Sequence, residues 1–161
     1  MTEHELYSKA VAFATEKHMG QTRKDGTPYI NHPLKVAEIL KDAGFGVNYQ
    51  IAAVLHDTLE DTDATEDEIR VFGEDVLEAV RLVTRPEGMD EADYVAAILK
   101  NHMATEVKNA DKIHNMQDLE HCGNKKWAIH YAKKVHKYYG GKFSPDLDKA
   151  IEDALKIVMK E

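Results

Sequence analysis

One segment, IAAVLHDTLEDT at residues 51–62, combines a wide apolar stripe with a cluster of ionisable side chains. Read as a single helix at about 100° per residue, it places these residues on one side: Ile51, Ala52, Val54, Leu55, Thr58 and Leu59. The other side carries His56, Asp57, Glu60 and Asp61. A stripe this wide is typical of a helix that is buried in a core. We therefore expect a core helix whose polar side borders a pocket, where the ionisable groups need partners.

Two interpretations of this polar side are open from the segment alone. Neutral His and ionised Asp are ligands for divalent metal ions, and a cation relieves the crowding of carboxylates. The other interpretation is a solvated helix end with an ordinary charge pattern. Further candidate ligands elsewhere in the chain favour the metal ion.

Apolar residues recur at helical spacing along most of the chain, and we find no convincing strand and no internal repeat. The predicted helices span about residues 2–18, 31–43, 51–62, 65–72, 76–84, 90–99, 106–119, 127–139 and 144–158. The sequence therefore predicts an all-α fold of seven to nine helices, with one domain over residues 1–161.

Composition and charge narrow the class of protein further. The chain has no apolar run of about 18 residues that could span a membrane, and the lone Cys122 fits a reducing compartment. We expect a cytoplasmic protein. A net charge of −8 argues against nucleic-acid binding. Acidic residues dominate positions 57–78 and lysines dominate positions 100–142, a pairing that suits a small polyanion.

Three other places carry candidate functional residues. His32 follows Asn31, a predicted N-cap, and precedes Pro33 in a first helical turn. Asp111 and Asn115, four residues apart, share one helix face beside an apolar stripe. Arg23 and Lys24 lie in a loop, where binding groups are often displayed. The ordinary alternatives are a structural His, a salt-bridged Asp and surface bases.

Two imidazoles and two carboxylates on three predicted helices can surround one divalent cation. The set is His32, His56, Asp57 and Asp111. Mixed nitrogen and oxygen ligands admit Mn, Fe, Co, Zn or Mg, so the ligand types do not choose the metal.

The ordered pattern H…HD…D resembles the HD superfamily of metal-dependent phosphohydrolases. Three segments, RKDGTPYINHP at 23–33, HDTLEDT at 56–62 and ADKIHN at 110–115, resemble more narrowly the hydrolase domain of the RelA/SpoT family. Within that family the chain is most similar to stand-alone small alarmone hydrolases, including the metazoan SpoT homologue. The resemblance covers nearly the whole chain.

The resemblance implies a role for each matching residue. His32, His56, Asp57 and Asp111 would hold one ion, commonly Mn²⁺, and Glu60 and Asp61 would be the catalytic acidic pair. Arg23 and Lys24 would lie near phosphate, and Asn115 on the nucleotide side of the pocket. The implied reaction removes the 3′-pyrophosphate of (p)ppGpp, giving GDP or GTP and pyrophosphate.

The segment RPEGMDEADYVAAILKNHM, residues 85–103, departs from the family pattern, because alarmone hydrolases often carry a basic run there. This departure leaves the identity of the substrate nucleotide open. One alternative substrate is another phosphorylated nucleotide such as NADPH, and a different class of protein is a non-catalytic sensor of nucleotide or metal. The expected partner is a small nucleotide, with a homo-oligomer possible.

Overall fold

The computed structural model describes residues 1–160, which contain ten α-helices and one short 3-10 helix joined by loops. The helices are α1 (Glu3–Lys17), α2 (Asn31–Asp42), α3 (Val47–Leu55), α4 (Thr58–Asp61), α5 (Glu66–Arg70), α6 (Glu74–Val83), α7 (Glu91–Ile98), α8 (His102–Asp118), α9 (Lys125–Tyr139) and α10 (Pro145–Val158). Among these residues the β-type pairing is one isolated bridge, between Thr22 and Pro28. The predicted all-α fold is confirmed.

Helical structure forms in each of the nine expected stretches, but the prediction of one continuous helix over residues 51–62 is wrong. Helix α3 ends at Leu55 and α4 begins at Thr58, with His56 and Asp57 in the turn between them. The Thr58 hydroxyl donates to the Leu55 carbonyl at 2.8 Å, and His56 Nδ1 donates to the Ala53 carbonyl at 2.6 Å. These side chains satisfy carbonyl groups at the end of α3, which stabilises the break.

Side-chain caps set several of the other helix boundaries. Thr65 and Glu68 form a capping box at the start of α5, and the Ser144 hydroxyl accepts from the Leu147 amide at the start of α10. Asn101 caps α8, which therefore begins at His102 and not near residue 106 as expected. Asn31 is also not a cap: it is the first residue of α2, and Ile30 precedes it without a side-chain cap.

Helix α8 joins two hydrophobic clusters and so places its residues at the centre of the protein. Val107 and Ala110 pack in a cluster formed mainly by α1, α2, α3 and α6. Ile113 and Met116 pack in a second cluster with α9 and α10. Because α2, α3 and α8 pack against one another, the start of α2, the end of α3 and the middle of α8 meet at one point.

No helix within residues 1–160 is both long enough and apolar enough to cross a membrane.

Candidate metal centre and adjoining cavity

The start of α2, the turn between α3 and α4, and the middle of α8 bring the predicted ligands together. Asp111 Oδ1 lies 2.7 Å from His32 Nε2 and 3.2 Å from His56 Nε2. Asp57 Oδ2 lies 3.1 Å from His56 Nε2. Candidate ligand atoms of His32, His56 and Asp57 all lie within 4.8 Å of one another. His32, His56 and Asp111 are buried and Asp57 is half-buried, so the cluster is largely withdrawn from solvent.

Hydrogen bonds on the far side of each imidazole orient its other nitrogen towards the cluster. His56 Nδ1 donates to the Ala53 carbonyl, and His32 Nδ1 lies 2.7 Å from His114 Nδ1. The Tyr29 hydroxyl donates to Asp57 Oδ2. Such outer contacts fix the tautomer and orientation of metal-binding residues. With Nδ1 occupied in both rings, the two Nε2 atoms are the nitrogens that face Asp111.

The protonation states of the four candidate ligands are compatible with the binding of a cation. Burial would raise the pKa of Asp57 and lower that of His56, but their mutual attraction outweighs burial: the pKa of Asp57 is lowered and that of His56 is raised to about 10. Burial also opposes ionisation of Asp111, yet Lys108, His32 and His56 hold its pKa well below its usual range. Burial lowers the pKa of His32. Two ionised carboxylates, one neutral imidazole and one imidazole that must lose a proton are a donor set that fits one divalent cation.

Glu60 and Asp61 lie on α4, immediately beside this cluster, and are exposed to solvent. Although both side chains reach solvent, the surrounding protein removes part of their hydration, which raises the pKa of both carboxyl groups, and the carboxylate of Asp57 raises it further. The Asp61 amide donates to the Asp57 carbonyl at 2.9 Å, which ties α4 to the turn. The pair therefore follows the His56-Asp57 turn directly and reaches solvent; its catalytic role stays a prediction.

A cavity of about 310 Å³ adjoins the cluster, and Arg23, Lys24 and Asn115 all line it. Arg23 Nη2 donates to Asn115 Oδ1 and to Asp118 Oδ2, each at 3.2 Å. Lys24 Nζ lies 4.2 Å from the centre of the Trp127 ring. The two bases thus occupy different parts of one cavity: Arg23 sits against α8 and Lys24 sits over an aromatic face.

Several residues of this region were not singled out by the sequence analysis. They are Tyr29, Lys108, Lys112, His114, Asp118 and Trp127. Tyr29, Lys112 and His114 fall inside the quoted motifs, so the motifs themselves were a signal for them. Lys108 Nζ lies 3.5 Å from Asp111 Oδ2. Its position one turn before Asp111 on a helix was the available signal.

A helical domain in which an adjacent His-Asp pair meets a second His and a distant Asp has the architecture of an HD-type protein. Comparison with known families agrees, since the model of the family described as HD domain matches residues 10–140. The chain belongs to the HD domain family.

Relatives within this family are similar over most of the chain. Guanosine-3′,5′-bis(diphosphate) 3′-pyrophosphohydrolase MESH1 of Danio rerio is 40% identical over 141 residues, which cover 81% of this chain and 77% of that protein. MESH1 of Homo sapiens is 37% identical over 165 residues, covering 95% and 92%. The solved structure of a metazoan ortholog of SpoT that hydrolyses ppGpp superposes with a TM-score of 0.77 at 28% identity, covering 94% of each chain. The predicted resemblance to small SpoT-like hydrolases is confirmed.

Proposed function

We propose that this protein is an Mn²⁺-dependent hydrolase that removes the 3′-pyrophosphate of (p)ppGpp, giving GDP or GTP and pyrophosphate. The observation that carries the proposal is the convergence of His32, His56, Asp57 and Asp111 beside a cavity that displays Arg23. The names of the MESH1 relatives and of the structural neighbour support this substrate.

The ligand cluster and α4 divide the chemistry between them. A divalent ion held by the cluster would lower the pKa of a water molecule bound to it and would polarise a phosphoryl oxygen. Glu60 is the general base in this proposal, because burial and the Asp57 carboxylate raise its pKa and make it a better proton acceptor. Asp61, beside Glu60, carries protons to solvent.

The basic residues of the cavity serve the phosphate groups. Arg23 is held by Asn115 and Asp118, so its guanidinium is positioned before a ligand arrives. Lys24 is exposed and can move from Trp127 to a phosphate, leaving the indole face for a nucleobase. Asn115 lines the cavity and its Nδ2 lies 3.5 Å from Asp111 Oδ1, so in this proposal it contacts the nucleotide beside the candidate metal centre.

The stacking surface of Trp127 does not distinguish (p)ppGpp from a second candidate substrate of the same chemical class. An indole face stacks on any nucleobase, so a nucleotide with a different phosphate position, such as NADPH, stays a candidate. A non-catalytic sensor is the weaker alternative, because Glu60 and Asp61 beside the cluster serve no purpose in binding alone. We also propose a cytoplasmic location, which the lone Cys122 supports. A homo-oligomer stays a prediction.

The deciding experiment incubates metal-stripped protein with Mn²⁺ and ppGpp, with NADPH in a parallel sample, and separates the products by chromatography. Equal amounts of GDP and pyrophosphate, formed only with Mn²⁺, are the expected result. Phosphate release from NADPH without turnover of ppGpp would move the substrate to the second candidate. Binding of either nucleotide without any product would refute an enzyme and favour the sensor.

A further inference from the structure

Lys112 is a buried lysine that has no carboxylate partner. Its side chain points into the interior between α8 and α9, and the residue is 8% exposed. Within residues 1–160 its ammonium makes no ion pair, whereas the neighbouring Lys108 pairs with Asp111. Its contacts are the Tyr131 hydroxyl, at 3.0 Å, and the ring faces of Tyr131 and Tyr139. A buried charge without a counter-ion is costly, so this arrangement calls for a compensating role.

The Tyr131 hydroxyl accepts two hydrogen bonds and has its own proton to give. Lys112 Nζ donates at 3.0 Å and Asn115 Nδ2 donates at 3.1 Å. The orientation of the Asn115 amide is fixed independently, because Arg23 can only donate and it contacts Asn115 Oδ1. Both lone pairs of the Tyr131 oxygen are therefore in use. Among residues 1–160 no acceptor receives the hydroxyl hydrogen.

The hydroxyl belongs to the wall of the cavity beside the candidate metal centre. Tyr131 lines that cavity together with Arg23 and Lys24, and its ring stacks on Trp127 at 4.9 Å between ring centres. Asn115 also lies 3.5 Å from Asp111 Oδ1, so one side chain separates Tyr131 from the ligand cluster. An O–H group that accepts from an ammonium is polarised and becomes a stronger donor. With cationic side chains around it, the acceptor that suits it best is an anionic oxygen.

We propose that Tyr131 donates a hydrogen bond to a phosphate oxygen of the substrate, and that Lys112 is the positioning residue that holds and polarises its hydroxyl. The proposal rests on the proposed function only in taking the substrate to be phosphorylated. It gives Tyr131 a part in selecting the ligand, and it explains why an unpaired ammonium is kept inside the protein.

The test uses Tyr131→Phe, which keeps the ring and its stacking but removes the hydroxyl, and Lys112→Met, which keeps the length but removes the charge. Tyr138→Phe and Lys137→Met are matched controls on α9, the helix that carries Tyr131. Lys137 packs over the ring of Tyr138, and both residues line a separate surface depression. Trp127 is the only tryptophan in the chain. Its fluorescence therefore follows titrations of the Mn²⁺-loaded protein with inorganic phosphate and with GDP.

We expect Tyr131→Phe and Lys112→Met each to weaken the binding of GDP and phosphate by about tenfold or more, as for a lost hydrogen bond to a charged group. The double variant should be no worse than Tyr131→Phe, because both changes act through one hydroxyl. With ppGpp, KM should rise more than kcat falls. Both control variants should bind as the unmodified protein does.

Binding by Tyr131→Phe within twofold of the unmodified protein would overturn the proposal. A loss seen with Tyr131→Phe but not with Lys112→Met would overturn the role of Lys112. Melting temperatures separate misfolding from lost binding, and removal of the unpaired ammonium should not lower them. If ppGpp is not hydrolysed but phosphate binding still depends on Tyr131, the proposed function fails while this inference stands.

Discussion

Binding of Mn²⁺ to the metal-free protein should release about one proton per ion at pH 7.5. The count comes from the four candidate ligands. Asp57 and Asp111 have lowered pKa values and are already ionised, and burial keeps His32 neutral. His56 has a pKa of about 10 and is protonated. Its Nε2 proton must leave before that nitrogen can bind an ion.

The same reasoning gives the pH dependence of affinity. Between about pH 7 and pH 10 the apparent association constant should rise about tenfold per pH unit, because each ion displaces one proton. Above the His56 pKa the rise should stop, since the imidazole is then already neutral. Titration calorimetry in buffers of different ionisation enthalpy measures the proton count as a slope. A slope of zero at pH 7.5 would refute the argument. His102→Gln, which removes an exposed imidazole, should leave the slope unchanged.

Stability of the metal-free protein should follow the same group. The pKa of His56 is raised on folding, from about 6.5 in the unfolded chain to about 10. Its protonation therefore contributes stability in full below about pH 6.5, and that stability is lost as the pH rises through the folded-state value. The difference in melting temperature between Mn²⁺-loaded and metal-free protein should widen between pH 7 and pH 10. A constant difference would contradict this assignment.

Four substitutions test the rest of the arrangement. Asp57→Asn should abolish metal binding and turnover but keep a helical circular dichroism spectrum; retained activity would remove Asp57 from the site. Glu60→Gln should keep the ion and lower kcat roughly 10²- to 10⁴-fold, whereas loss of the ion would make Glu60 a ligand. His114→Ala should weaken ion binding about 10- to 100-fold by calorimetry, and unchanged affinity would show that His32 needs no such support. Leu77→Ala, in the core, should lower the free energy of unfolding in urea by about 2–5 kcal/mol. A loss under 1 kcal/mol would mean that neighbouring side chains move in and fill the space left at residue 77.

The sequence predicted which four candidate ligands meet in the structure because they stand out in type and order. His32, the His56-Asp57 pair and Asp111 are polar residues beside apolar stripes, and the structure brings them within contact distance. The break at His56 was missed because apolar spacing continues smoothly across it. Hydrogen bonds from His56 and Thr58 to backbone carbonyls create the break, and periodicity carries no information about such bonds.

The residues of the cavity were harder to predict because they depend on how α9 is rotated against α8. Helical spacing alone does not show which of Tyr131, Tyr138 and Tyr139 meets a cavity. In the structure Tyr139 is buried in the core, Tyr138 faces a separate depression, and Tyr131 lines the cavity. Lys112 lies inside the ADKIHN motif, but the sequence does not show that its side chain is buried.

The candidate ligands come from the start of α2, the turn after α3 and the middle of α8, which are far apart along the chain. One ion held by all three would act as a cross-link that closes two long loops of polypeptide. An ion that binds only the folded state stabilises it by about 2.7 kcal/mol at a concentration one hundred times its dissociation constant. A shortage of that ion in the cell would therefore have two effects on this protein. It would lower the activity of each molecule, and it would lower the number of molecules, because the less stable metal-free protein unfolds and is degraded.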